Sequence, residues 1–258
     1  MKRSALVGHT GFVGSTLKKQ YEFDHLFRST NINEIIDKDY DLLVCAGAPA
    51  QKWLANKEPE KDLQQLNFLM NCLSRVKAKK FVLISTVDVF AIPQQVTEDS
   101  EVSEANLSAY GLNRRILEKF VVENFPDVLI VRLPGLVGPG LKKNIIFDFL
   151  NNNNLNQIES RSVFQFYPMV NLWSDITCAL FNNLSLVHLT SEPISVEEVA
   201  LEAFNLVFEN ELSSSPLFYD FRTKYSDLFK SVCNNYQYSK KETLIAIRAY
   251  AQSEQVKK

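Results

Sequence analysis

Three glycines near the start of the chain, and a hydroxyl, a phenol and a cation further on, are the residues whose types and spacing carry chemistry. In "ALVGHTGFVGSTL" the apolar run Ala5-Leu6-Val7 leads into Gly8-x-x-Gly11-x-x-Gly14 and then into helix-forming residues. A dinucleotide pyrophosphate needs that order. One glycine permits a tight turn, one lets backbone N–H groups reach the phosphates, and one lets the following helix sit close to the strand. The backbone of Thr10, Gly11, Phe12 and Val13 then opens a helix whose N-terminus faces the negative charge. In "FVLISTVDVFAIP", Ser85 and Thr86 stand where a buried strand emerges at the carboxyl edge of a sheet, the edge at which parallel sheets bind ligands. In "SAYGLNRRILEKF", Tyr110 and Arg114 fall at i and i+4 on one helix face. Together these make a proton-transfer site. Thr86 hydrogen-bonds a carbonyl or alcohol, Tyr110 gives or takes the proton, and the Arg114 charge favours the phenolate, lowering the tyrosine pKa.

The elements that must position these residues alternate. Apolar strands are predicted at 4–7, 25–28, 41–47, 81–85 and 127–133, with helical periodicity over 12–20, 59–77 and 103–124. Such alternation means a parallel sheet covered on both faces, a doubly wound α/β domain of the Rossmann type. Beyond Gly140 the pattern changes, and Asn151–Asn154 reads as a loop or helix terminus. A helix near 172–183 and a strand at 186–190 rejoin the sheet, while 195–209 and 223–252 read as helical. The expected organisation is a nucleotide-binding domain of 1–140 plus about 170–191. A small, mainly helical substrate lobe takes up 141–169 and 192–258. At the end of the second strand, where an NAD site places a carboxylate, "HLFRSTN" puts Arg28 and Ser29. A guanidinium and a hydroxyl suit a 2′-phosphate, so NADP(H) is favoured over NAD(H).

Composition narrows the partners. The 258 residues are 46% hydrophobic and 22% charged with a net charge of -2, which gives no general attraction to nucleic acid or to acidic membranes. The basic run Lys77–Lys80 reads as the end of a helix, complementing its dipole. Four cysteines (Cys45, Cys72, Cys178, Cys233) and three histidines lie far apart, so neither a disulfide frame nor a metal site is expected. Trp53 and Trp173 read as lobe packing. With the first strand starting at residue 4 and no apolar run of membrane-spanning length, a cytoplasmic protein is expected.

In these motifs and their order, the chain resembles the extended short-chain dehydrogenases/reductases, the NAD(P)-dependent epimerase/dehydratase family that acts mostly on nucleotide sugars. The glycine motif matches, Ser85-Thr86-Val87-Asp88-Val89-Phe90 corresponds to the family's S-[ST]-x-x-V-Y, and Tyr110-Gly-Leu-Asn-Arg114 to its YxxxK. Arg132 through Gly138-Pro139 corresponds to R-x-x-x-x-x-G-P, and "YQYSKKETLIAI" echoes the C-terminal helix signal. The resemblance implies a nicotinamide cofactor lined also by Ala46, Gly47, Ala48, Ser85, Tyr110, Arg114 and Pro134. For the diphosphate of a nucleotide sugar it implies Lys142 and Asn144, with Arg161 or Gln165 in place of the family's phosphate arginine. It implies a homodimer joined by a helix bundle that includes the Tyr110 helix.

Three departures qualify the match. The lysine of YxxxK is Arg114, which is longer, planar and always charged. The Asp-Glu pair that dehydratases carry after the threonine is Val87-Asp88, which disfavours dehydration and leaves Asp88 as a base or as a turn residue. The phosphate arginine before "FYPMVNLWSDI" is missing. The expected activity is hydride transfer at a sugar carbon, by an epimerase or a 4-keto-sugar reductase. The alternatives are an NADP(H)-binding sensor or scaffold that has lost turnover, and a reductase of a non-sugar carbonyl.

Overall fold

Short apolar runs buried on both faces build the sheet. All four residues of β1 (Ser4–Val7) are buried, as are Leu43 to Cys45 of β3 (Asp39–Cys45) and Phe81 to Leu83 of β4 (Lys77–Thr86). In this computed structural model, which describes residues 3–254, these strands join β2 (His25–Phe27), β5 (Val128–Leu133) and β6 (Leu186–His188) in one six-stranded parallel sheet. The order is β6-β5-β4-β3-β1-β2. Val7 lies opposite Phe27 on one side and Cys45 on the other, and Cys45 lies opposite Leu83. The chain leaves β1 for β2 and returns to the other side of β1 as β3. The switch point is therefore at the carboxyl ends of β1 and β3, where the loops diverge and leave a crevice.

Each helix is placed by its apolar face and its ends. α1 (Phe12–Gln20) buries Gly14 and Leu17 and ends on Lys18 and Lys19, which match the negative end of its dipole. After the short α2 (Lys52–Lys57), α3 (Pro59–Leu73) begins on a proline, whose missing N–H would have been unsatisfied there anyway. Its Leu66, Leu69, Met70 and Leu73 enter the core. α4 (Ala109–Asn124) is capped by Ser108, whose Oγ accepts from the Gly111 N–H at 3.3 Å, and it adds Leu117 and Val121 to the same core.

The chain divides into two compact units. One is Met1–Ala91, Glu101–Arg132 and Leu172–Val187; the other is Ile92–Ser100, Leu133–Asn171 and His188–Lys258. Residues 92–100 fall in the second unit because Gln94–Val96 pairs with Asp220–Phe221. Two further ladders lie there, Gly135–Val137 with Phe166–Pro168 and Val163–Phe164 with Ile194–Ser195. They accompany the helices Ile145–Asn151, Val196–Phe204 and Lys240–Ser253, so the lobe is more mixed than its sequence pattern suggests.

Three local expectations need correction. Residues 223–252 are not helical throughout: beyond the 3-10 turn Ser226–Phe229, Lys230 and Asn235 take positive φ (54° and 70°), which ends the helical run until Lys240. Lys77–Lys80 is not a helix end but the start of β4, where Lys79 pairs with Asp41 at 2.7 Å and Lys80 with Asp127 at 2.5 Å. Neither tryptophan packs the lobe. Trp173 lies 4.4 Å from Tyr21 and 5.7 Å from Phe23 by ring centroids in the first unit, and Trp53 is 64% exposed.

Candidate functional site

The glycine turn is built for close backbone approach. Gly8 takes φ +84°, and its N–H and that of His9 donate to the Phe27 carbonyl at 2.8 and 3.4 Å, tying the turn to the end of β2. A Cβ on Gly8 would overlap the Ala46 carbonyl oxygen, and one on Gly14 would overlap the Gly8 carbonyl oxygen. Side chains are excluded at both positions by backbone. Gly11 differs, because a Cβ there would meet only the Gly8 oxygen at 3.5 Å. The space above Gly11 is open, and Thr10 and Gly11 are exposed. The first turn of α1, where Phe12 and Val13 are half-buried, has no side-chain cap and no acidic residue, so its N–H dipoles present an uncompensated positive end. Beside it, Gly47 is held small by packing, since a Cβ would come 2.9 Å from Val7 Cγ1. Ala46 and Ala48 flank it, half-buried.

Arg28 and Ser29 are exposed directly after β2. Asn31 shapes this corner: its Oδ1 accepts from the Arg28 N–H at 2.7 Å and its Nδ2 donates to the Leu26 carbonyl at 3.3 Å. Burial, then the charges of Lys18 and Arg28, push the His9 imidazole below its ordinary range. The end of β2 thus carries positive potential and no carboxylate through Asn31.

At the carboxyl end of β4, Thr86 caps the 3-10 turn Val87–Val89. Its Oγ1 accepts from the Asp88 N–H at 3.2 Å and donates to Asp88 Oδ2 at 3.3 Å. α4 lies directly on this turn. A Cβ at residue 111 would overlap the Asp88 carbonyl oxygen, so the glycine after Tyr110 is what allows the approach. Asn56 of α2 accepts the Tyr110 N–H at 2.9 Å and fixes the start of α4. Tyr110 is 8% exposed, with the Arg114 guanidinium 4.1 Å from its ring centroid.

The guanidinium is also committed elsewhere. Arg114 Nη2 donates to Asp62 Oδ1 at 3.0 Å, Nη1 donates to Asp62 Oδ2, and Nη2 donates to the Pro49 carbonyl. Arg114 is 3% and Asp62 6% exposed, and Arg114 Nε is buried with no partner. The net effect on Tyr110 is opposite to that expected from Arg114 alone. Burial raises the phenol pKa above its ordinary value and outweighs the lowering by Arg114; Asp88 raises it further, while the Thr86 hydroxyl and Lys52 lower it.

Several expected site residues are engaged in packing. The Ser85 hydroxyl donates to Glu118 Oε1 at 2.6 Å, in a network where Arg132 grips both carboxylate oxygens at 2.9 and 2.8 Å. Burial raises the Glu118 pKa, but Arg132, Ser85 and Arg115 outweigh it and hold the carboxyl below its usual range. Ser85 therefore serves this buried network rather than an open face. In the second unit, Pro134 is buried and Lys142 exposed. Asn144 is the N-cap of helix Ile145–Asn151: its Oδ1 accepts from Ile146 and Phe147 at 3.0 and 3.3 Å, and its Nδ2 donates to Leu136 at 2.9 Å. Arg161 is held by Glu159 at 2.8 Å and Glu211 at 2.8 Å. Gln165 is fully used, donating to Thr190, Ser191 and Phe221 and accepting from the Phe221 N–H. Neither Asn144, Arg161 nor Gln165 offers an uncommitted amide or guanidinium to a phosphate.

Sequence reasoning missed Lys52, Asn56, Asp62 and Gly111. For Asp62 a signal was present: it stands at i with Leu66, Leu69 and Leu73 at i+4, i+7 and i+11, a carboxylate on an otherwise apolar helix face.

A parallel sheet with a glycine turn at its switch point, and with Thr86 and Tyr110 at the same edge, defines a dinucleotide-binding fold of the short-chain dehydrogenase/reductase type. The chain belongs to the NAD dependent epimerase/dehydratase family, whose sequence model matches residues 5–177. No curated protein matches it at a significant level. Among solved structures it is similar to dTDP-4-dehydrorhamnose reductase from Bacillus anthracis in complex with NADP (16% identity, TM-score 0.71, covering 98% of this chain and 100% of that one). It is also similar to the Bordetella bronchiseptica enzyme WbmG in complex with NAD and UDP (16%, 0.73, 97% and 94%). A third is RMD from Pseudomonas aeruginosa complexed with NADPH (16%, 0.72, 98% and 100%). Among the described residues, no helix is long and apolar enough to cross a membrane.

Proposed function

We propose that this protein is an NAD(P)-dependent oxidoreductase or epimerase acting at a carbon of a nucleotide sugar, with NADP(H) favoured. The observation that carries the reading is the placement of Tyr110, at the start of α4 and under the Arg114 guanidinium, on the helix that packs against the Thr86–Asp88 turn, at the sheet edge that also bears the open Gly11 turn. A bound nicotinamide supplies or accepts hydride. The chain does the rest. The uncapped start of α1 takes the pyrophosphate, Arg28 and Ser29 take the 2′-phosphate, and the orphaned Nε of Arg114 donates to a ribose hydroxyl. Thr86 turns its hydroxyl proton from the long 3.3 Å contact with Asp88 to the reacting oxygen, and Tyr110 Oη moves the proton to or from that oxygen. Burial raises the Tyr110 pKa above its ordinary value, which supports the proton-donor role. The NADP- and NADPH-bound relatives support the cofactor by analogy, and the UDP-bound one supports the substrate class.

A second reading, a cofactor-binding protein without turnover, is favoured by the capture of Arg114 between Asp62 and Pro49. One experiment separates them. NADPH and NADH are titrated by fluorescence, and NADPH consumption is followed with UDP-, GDP- and dTDP-linked 4-keto sugars in native protein, Tyr110→Phe and Arg114→Lys. The enzyme reading requires NADPH binding and turnover that falls at least about a hundredfold in Tyr110→Phe. Tight co-purified cofactor with interconversion of the sugar epimers and no net consumption identifies an epimerase. Binding without turnover in all three proteins selects the second reading, and absence of NADPH and NADH binding refutes both.

A further inference from the structure

We infer that Lys52 is a positioning residue of this site: from α2 its ammonium holds Asp88 against the Thr86 hydroxyl and cancels the negative charge that Asp88 would otherwise press on the Tyr110 phenol. The inference deepens the proposed reaction and rests on Tyr110 being its proton carrier.

The geometry assigns this role in three steps. First, the cation at position 114 is not adjustable, because Arg114 is buried and its charge is matched by Asp62. Second, both oxygens of Asp88 are in use: Oδ1 accepts from Lys52 Nζ at 2.7 Å and Oδ2 from Thr86 Oγ1 at 3.3 Å. Through Asp88, Lys52 therefore fixes where the Thr86 oxygen lies, from which its proton can turn to the reacting oxygen. Third, the helix that carries Lys52 is fastened to the residue it serves, since Asn56, four residues on, accepts the Tyr110 N–H at 2.9 Å.

The charged groups around the phenol come from four elements: Arg114 on its own helix, Asp62 behind it on α3, Asp88 on the turn after β4, and Lys52 on α2. Lys52 is 46% exposed and Asp88 18%. The lysine keeps its hydration while its partner is largely shielded, which makes the pair more than an exposed surface contact of negligible strength. A second cation, Lys52, thus supplies charge control beside Tyr110.

The test reads the phenol directly. Protein labelled with [ζ-13C]tyrosine is titrated by NMR, the Tyr110 resonance being assigned by its loss in Tyr110→Phe. Lys52→Met is expected to move the Tyr110 midpoint upward by about one pH unit, a tenfold fall in the ionised fraction at fixed pH. Asp88→Asn is expected to move it downward, and Lys52→Arg to leave it within about 0.2 unit, which is below a twofold change. An unmoved midpoint in Lys52→Met, or an Arg variant that behaves like Met, overturns the inference. The titration needs neither substrate nor cofactor. Failure of NADPH binding would sink the proposed function while leaving this result standing, and failure here would leave cofactor binding untouched.

Discussion

Exchange of Asp62 for asparagine tests whether charge, rather than apolar packing alone, joins α3 to α4. Asp62 accepts both η nitrogens of Arg114 and, at 2.8 Å, the Nδ2 of Asn113, in a place where the two ionic side chains are 6% and 3% exposed. Asparagine keeps the shape and one acceptor oxygen but leaves a guanidinium without counter-charge. Breaking a buried pair by removing one partner costs about 3–5 kcal/mol. The hydrogen bond that asparagine retains offsets about 1 kcal/mol, leaving a net loss of about 2–4 kcal/mol. At about 2–4 °C per kcal/mol for a chain of this size, the melting temperature falls by about 5–15 °C, read by circular dichroism or differential scanning fluorimetry. The double variant Asp62→Leu/Arg114→Leu removes both charges and should recover most of that loss, since apolar replacement of a buried pair is often near neutral. Melting of Asp62→Asn within about 1 °C of the native protein, well inside the span just worked out, would refute the view that the pair secures these helices.

Three further outcomes follow from the geometry. Gly14→Ala and Gly11→Ala should separate folding from binding: the first forces a Cβ into the Gly8 carbonyl and lowers the melting temperature, whereas the second folds normally and loses NADPH binding, as judged by thermal melts and fluorescence titration. Arg28→Ala should raise the Kd for NADPH about tenfold or more and leave that for NADH unchanged, because only the former carries the phosphate a guanidinium holds. In the second unit, Arg161 first and burial against it next leave the Glu159 carboxyl at a pKa of about 2 instead of 4.5. A depressed acid contributes stability above its unfolded pKa and loses it as pH falls toward the folded one. Acid unfolding followed by circular dichroism should therefore be shallower over that range in Glu159→Gln than in native protein.

What the sequence made legible follows from which interactions are local. The strands and α1 were readable because continuous apolar runs and the Gly8-Gly11-Gly14 spacing are short-range signals, and the observed β1 and α1 run over the residues that pattern marks. The lobe was less readable. Its ladders join residues far apart, such as Gln94–Val96 with Asp220–Phe221, and two- or three-residue strands leave no periodicity to detect. Asn144 and Arg161 illustrate the same limit at the level of single side chains. A polar residue at a suggestive position is indistinguishable in sequence from a helix cap or half of an ion pair, and here the cap and the pair are what the side chains form.

The arginine at position 114 shows why a site departure must be judged with its surroundings. In the family's motif a lysine presents one ammonium on a flexible stem, whereas a guanidinium presents a rigid fork that seeks a carboxylate. Buried at the start of α4, such a fork requires a counter-charge, and Asp62 on α3 supplies it from the middle of an apolar face. Once matched in this way, Arg114 holds Tyr110 from above its ring but no longer offers an adjustable charge to the phenol. Asp88, standing where a dehydratase would carry an acid, then faces Tyr110 with a negative charge that works against phenolate formation. Lys52 is the cation the structure places on that charge. Arg114, Asp62, Asp88 and Lys52 therefore form one electrostatic arrangement. A lysine at position 114 alone would leave Asp62 with a poorer partner and would not free a charge for the phenol. The expected result is lower thermal stability in Arg114→Lys without a matching gain in turnover, a combination that melts and NADPH consumption measured on one preparation will show or exclude.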